Sequence, residues 1–163
     1  MSKKAISCAV EIHARAGTAY VRYLRQQLQR VLQLADTPLR ELSVVLVGDV
    51  RMSKLHDEFF GDPETTDVIT FPLEVDAKGR ASSGELYVCV PVARRQAKIH
   101  GVAVRDELLL YVIHGVLHLD GHDDRTDSGY QRMHKKEDEV LTQLGVGAIF
   151  ASAERRTRIS GGR

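Results

Sequence analysis

From Leu108 to Leu119 the chain reads Leu-Leu-Leu-Tyr-Val-Ile-His-Gly-Val-Leu-His-Leu, and no other stretch restricts the fold so tightly. Apolar residues occupy almost the whole helical circumference, so the segment predicts a helix from about Val104 that is buried and central. His114 and His118 lie four residues apart and project from one face, one turn apart, where a single divalent ion reaches both. Burying several polar rings without compensation is costly, which favours ligation over packing. Gly121 supplies the left-handed residue that commonly ends a helix, and the chain then turns back so that His122 or Asp124 offers a third ligand. Three protein ligands and an open position mark a catalytic rather than a structural metal site, because water must bind and lose a proton. Hydrolysis is the leading chemistry.

Gly115 sharpens that reading. Peptidases of the His-Glu-x-x-His type place their general base beside the first histidine, and glycine there counts against a metal-dependent peptidase, the third candidate function. Phosphodiester cleavage places more of the work on the ion. The glycine suits a substrate or backbone close to the metal, and close helix packing explains it equally well. Asp123 is expected to orient the attacking water or to hold a ligand histidine in its tautomer. Asp120 is expected to face solvent.

Around this helix the chain reads as one α+β domain spanning 1–150, with a small mixed four-stranded sheet packed with helices. Strands are expected at Ala5 to Ile12, Leu42 to Gly48, Thr66 to Pro72 and Gly84 to Val90, with a polar loop from Asp76 to Ser83. Helices are expected from Thr18, as N-cap, to Leu34, from Asp49 to Phe60, and from Pro91 to about His100. A last helix is capped at Thr126-Asp127, with an apolar stripe of Tyr130, Met133, Val140, Leu141 and Leu144. Cys8 and Cys89 lack metal-binding spacing and are expected as buried free thiols. Residues 151–163, with four Arg and a single Glu, predict a flexible basic tail. The chain shows no signal peptide and no run near the ~20 apolar residues of a membrane span, which points to the cytoplasm and away from membranes.

A net charge of +1 provides no global basic field, so contact with RNA would rest on a local patch. Arg94, Arg95 and Lys98, together with Arg105, form the best basic cluster for phosphate.

The sequence resembles a known family on several of these segments. His114-Gly-Val-Leu-His118-Leu-Asp-Gly121-His122-Asp123 is similar to the signature of the YbeY family, whose second histidine is followed by a Leu-x-Gly, an aromatic or His, and an Asp. Thr66-Asp67-Val68-Ile69-Thr70-Phe71-Pro72 resembles that family's Thr-Asp-Val-Leu-Ser-Phe-Pro strand, and Gly84-Glu85-Leu86-Tyr87-Val88 its Gly-Asp-Ile strand. Met133, Glu137 and Leu144-Gly145 fall where its last helix has them. The resemblance implies a metal-dependent, single-strand-specific endoribonuclease. It would trim the 3′ end of small-subunit ribosomal RNA precursors, act in ribosome quality control, and contact the small ribosomal subunit and its assembly factors, with no DNA specificity. It also implies a His-x3-His arrangement like that of the metzincins, with His114, His118 and Asp124 binding Zn2+. Asp124 stands where the family usually has a third His, and His122 takes the place of its aromatic residue, so His122 remains the alternative ligand. A two-His-one-carboxylate set also admits Fe or Mn. Phe60 occupies the position of a family Arg thought to serve the phosphate, and His56, which stands nearby where the family usually has Asn, or Lys54 or Arg51, is expected to replace some of that phosphate contact. These departures support the second candidate function, a ribosome-associated metal-binding protein with weak or lost nuclease activity.

Overall fold

The structure is a computed structural model and describes residues 7–152. Its strands are β1 (Ala9–Ala14), β2 (Glu41–Val47), β3 (Val68–Val75) and β4 (Ala81–Cys89), and they form a mixed sheet in the order β1-β2-β4-β3. β1 runs parallel to β2 and β2 parallel to β4, while β3 pairs antiparallel with β4 at the edge. A 3-10 turn at Thr18–Tyr20 leads into α1 (Val21–Ala35). The remaining helices are α2 (Asp49–Phe60), α3 (Val90–His100), α4 (Val104–Leu119) and α5 (Asp127–Gln143). The expected α+β class and mixed four-stranded sheet are what the chain adopts.

Strand alternation divides the apolar residues between two cores. Leu42, Val44 and Leu46 of β2 and Leu86 and Val88 of β4 join the main core with Leu24 and Leu28 of α1, Met133 of α5 and nearly the whole of α4. Val47, Ile69 and Cys89 face the other way, against Met52 and Leu55 of α2. The almost wholly apolar α4 is therefore covered on nearly every side, as its sequence requires.

Two glycines let α4 lie directly on β4. A Cβ at Gly115 would sit 2.6 Å from a methyl carbon of Leu86, and one at Gly84 would sit 2.6 Å from a methyl carbon of Leu119. Both leucines are fully buried and have no free space to move into. Close packing is thus what Gly115 provides, and it fixes the height of His114 and His118 above the sheet.

Several boundaries differ from the sequence expectation. β1 begins at Ala9 and runs on to Ala14; Ala5 and Ile6 lie outside the described residues. Thr18 starts the 3-10 turn instead of capping the helix, because Gly17 takes the left-handed conformation before it. β3 continues to Val75 and β4 starts at Ala81, which leaves only a tight turn of the expected loop, closed by Asp76 N–H to the Arg80 carbonyl at 2.9 Å. The outer half of the hairpin carries register shifts between Pro72 and Val75, which break the alternation that sequence reading relies on. Asp120 does not face solvent freely: Arg80 binds it at 2.8 Å and also reaches the carbonyl of Asp36. Cys8 is half-buried and only Cys89 is fully buried. Tyr130 is exposed and drops out of the buried stripe of α5. Phe150 and Ala151 donate their N–H groups to Asp138. The expected tail beyond Ser152 lies outside the described residues.

Candidate metal centre

The site begins at the C-terminal end of α4. His114 and His118 project together, with Nε2 atoms 3.0 Å apart. After Leu119 the helix stops at Asp120, and Gly121 turns the chain at φ 93°, the left-handed residue the sequence anticipates. The returning loop brings Asp124 to 3.5 Å from His114 Nε2 and 3.6 Å from His118 Nε2. One ligand atom from each of the three residues lies within 4.8 Å of the others. A tetrahedral ion bound at about 2.0–2.2 Å places its ligand atoms about 3.3–3.6 Å apart, so this donor set fits a metal with only small shifts.

The loop is held from α5. Thr126 caps that helix by accepting from Gly129 N–H at 3.0 Å. A Cβ at Gly129 would fall 2.2 Å from the carbonyl oxygen of Asp123, so only glycine lets the loop close onto the helix. The position of Asp124 is thereby tied to the first turn of α5.

Each imidazole is anchored through Nδ1. His118 Nδ1 donates to the carbonyl of His122 at 3.1 Å. His114 Nδ1 donates to Glu137 Oε1 at 2.5 Å, and His134 Nδ1 donates to Glu137 Oε2 at 2.7 Å. A carboxylate only accepts, so the Nδ1 atoms carry the protons and the Nε2 atoms of His114 and His118 face the ligand group. Burial pushes His114 down, but the bond and charge of Glu137, with the charges of Asp67 and Asp124, outweigh it and leave its pKa raised. Burial, followed by the charge of His114, lowers His118. Glu137 is pushed up by burial, yet the N–H groups and charges of His114 and His134 pull it below the ordinary carboxylate value.

His134 does not figure in the sequence reading, and Glu137 enters it only as a position matching the family's last helix, not as a support for the site. Glu137 is 1 % exposed and sits on the buried stripe of α5, one turn after Met133. A carboxylate at a core position of an amphipathic helix is the signal that could have found it.

The other sequence candidates fall in different places. The ring of His122 is outside the converging group, and its backbone carbonyl is the atom that serves His118. Asp123 is outside the converging group: its carboxylate takes the guanidinium and backbone N–H of Arg125, which hold it down to about 2. Arg95 is paired with Asp49 at 3.1 Å, and Arg105 lies over the ring of Tyr23. α3 meets the site with Val92, Gln96 and His100, while Arg94, Arg95 and Lys98 occupy its other faces. The basic cluster is therefore not assembled around the metal centre. His56 stands close to it, in the groove beside His114 and His118.

Two depressions meet at His114. A cleft of about 710 Å³ runs between α3, α4 and α5, with Thr66, Asp67, Glu107, His134 and Glu137 in its walls. A smaller groove of about 420 Å³ passes between the end of α2 and β3 and includes both His114 and His118. Such an arrangement, two Nδ1-anchored imidazoles and a carboxylate at the junction of two grooves, can hold a hydrolytic cation in reach of an extended substrate.

Comparison with known proteins agrees with this architecture. The chain is 35% identical over 132 residues to endoribonuclease YbeY of Acidothermus cellulolyticus, covering 74% of this chain and 80% of that relative. It is 34% identical over 140 residues to endoribonuclease YbeY of Pseudarthrobacter chlorophenolicus, covering 82% and 85%. A Thermotoga maritima protein solved in solution matches with a TM-score of 0.58 and 26% identity, over 83% of this chain and 91% of that chain. The sequence model of endoribonuclease YbeY itself matches residues 8–145, and the chain belongs to the YbeY family.

Proposed function

We propose that this chain is a metal-dependent endoribonuclease that cuts single-stranded RNA. Its substrate is a ribosomal RNA precursor, and its partners are the small ribosomal subunit and that subunit's assembly factors, in the cytoplasm. The observation that carries the reading is the convergence of His114, His118 and Asp124, with both imidazoles anchored at Nδ1. Family membership supports it, since the relatives are endoribonucleases by name.

His114, His118 and Asp124 would hold Zn2+, and the carboxylate also suits Fe or Mn. Such an ion supplies Lewis acidity: it lowers the pKa of water and offsets the negative charge that develops on phosphoryl oxygens. The carboxylate of Asp124 makes the site less electrophilic than three neutral imidazoles would. Glu137 keeps His114 in the ligating tautomer and, through His134, extends that network into the larger cleft. Position 115 offers no general base for peptide hydrolysis, because it is a glycine packed on Leu86.

Cleavage of a ribosomal RNA fragment bearing a single-stranded end tests the proposal, with wild type, wild type plus chelator, and His118→Ala prepared identically. Cleavage lost in both controls is expected. No cleavage above the His118→Ala background, with metal still bound to the wild type, would replace the nuclease by a metal-binding ribosome-associated protein. Metal content should fall in Asp124→Ala and persist in His122→Ala; the reverse would reassign the third ligand.

A further inference from the structure

Phe59 and Phe60 close α2 side by side, yet they meet different surroundings. Phe59 packs edge-on against Phe71 at 4.8 Å between centroids, and Phe71 in turn against Tyr87 at 5.8 Å. This aromatic series anchors the end of the helix on the sheet. Phe60 has no place in it and is 62% exposed, against 54% for Phe59. Its ring rests instead on His56 at 5.4 Å, and His56 is itself fixed by donating from Nδ1 to the carbonyl of Glu64 at 2.8 Å. Gly61 then ends the helix at φ 69°, its N–H bonded to the Asp57 carbonyl. The chain thus presents an exposed aromatic ring beside His56.

That face belongs to the groove that contains His114 and His118. At about 420 Å³ the groove is the size of a small-molecule site. Its walls include the hydroxyl-bearing Thr66 and Thr70. Unstacked bases of single-stranded nucleic acid bind aromatic faces of this kind, whatever their sequence. We propose that Phe60 is a stacking platform for one base of the RNA strand, close to the bond presented to His114, His118 and Asp124. The inference rests on the endoribonuclease reading for its substrate and adds a base subsite to it.

The chain contains no Trp, so Phe60→Trp places a single fluorescent reporter at the platform. The Phe60→Trp protein, as metal-loaded full chain, is titrated with a single-stranded 2′-O-methyl RNA oligonucleotide, which resists cleavage. The indole emission should be quenched saturably, and a duplex of the same sequence should not quench it. Phe60→Ala should weaken binding of that oligonucleotide by about 5- to 150-fold, the range of one lost base–aromatic stack. Phe60→Tyr should retain binding, and Phe60→Leu, which keeps apolar area without a π face, should not. Phe60 is exposed, so unchanged melting temperatures of these variants would certify the fold. The platform is overturned if the indole emission of Phe60→Trp ignores the single strand, if the duplex quenches it equally, or if Phe60→Ala or Phe60→Leu binds like wild type. The unmodified oligonucleotide separates the two readings. Quenching without cleavage removes the endoribonuclease and leaves the platform; cleavage with unaltered Phe60→Ala binding removes the platform alone.

Discussion

Replacing Glu137 by Gln isolates the role of the buried carboxylate, because the shape is kept while one acceptor and the charge are lost. Glu137 accepts from His114 at 2.5 Å and from His134 at 2.7 Å, whereas a carboxamide has one oxygen and must point its NH2 at the second ring. If the oxygen serves His114, a charge-assisted bond worth about 1.5–3 kcal/mol becomes a neutral one worth about 0.5–1.5 kcal/mol. If the NH2 faces His114, the ring proton moves to Nε2, the atom required for ligation. Either outcome predicts metal binding about 10- to 100-fold weaker, the usual cost of losing such a support. The melting temperature should change little, since Gln fills the same space and a buried charge has gone. Glu137→Ala should behave differently. It leaves two ring N–H groups without an acceptor, at about 1–3 kcal/mol each, and should lower the melting temperature as well as metal affinity. Competition against a chromophoric chelator, together with thermal melts, measures both quantities. A Glu137→Gln protein that binds metal within about twofold of wild type would refute the tautomer argument.

Three further outcomes follow from the geometry. Gly115→Ala gains about 1 kcal/mol of helix propensity but meets Leu86 at 2.6 Å, where overpacking costs about 1–3 kcal/mol, so a denaturant melt should show net destabilisation, relieved when Leu86 is also shortened to Val. The thiol of Cys89 is pushed up to about 11 by burial and by the adjacent Asp49, so native protein at neutral pH should take up iodoacetamide at Cys8 alone, and two adducts by intact mass before denaturation would contradict this. The pKa of His114 is raised above its ordinary value by Glu137, and its proton must leave before a cation binds, so metal affinity should fall on acidification, with proton release detectable by calorimetry in buffers of different ionisation heat. Fold stability follows Glu137, whose lowered pKa contributes stabilisation that is present above the ordinary carboxylate value of 4.5 and is lost as pH falls through its lower folded value.

What the sequence reveals here is what local chemistry encodes. The length and apolar character of α4, the left-handed Gly121 and the Thr126 cap each depend on residues within a few positions of one another, and all three appear in the structure where expected. The centre's support depends on pairs far apart in the chain. Glu137 meets His114 across 23 positions, Arg80 meets Asp120 across 40, and Arg95 meets Asp49 across 46. A charge on a helix looks like solvated surface until its partner is known, which is why Arg95 reads as a phosphate ligand and Asp120 as a free carboxylate. The β3–β4 hairpin illustrates another limit. Its outer half is irregular and exposed, so the pattern of apolar residues says nothing about the extra pairing.

The cap of α5 has a dynamic consequence. The first turn of a helix is where fraying starts, and here that turn, through Thr126 and Gly129, also positions the loop bearing Asp124. Opening of this terminus withdraws one ligand from the other two. If Asp124 ligates a cation together with His114 and His118, capture of that cation is coupled to the winding of the last helix, and loading the protein with metal should slow amide exchange along α5.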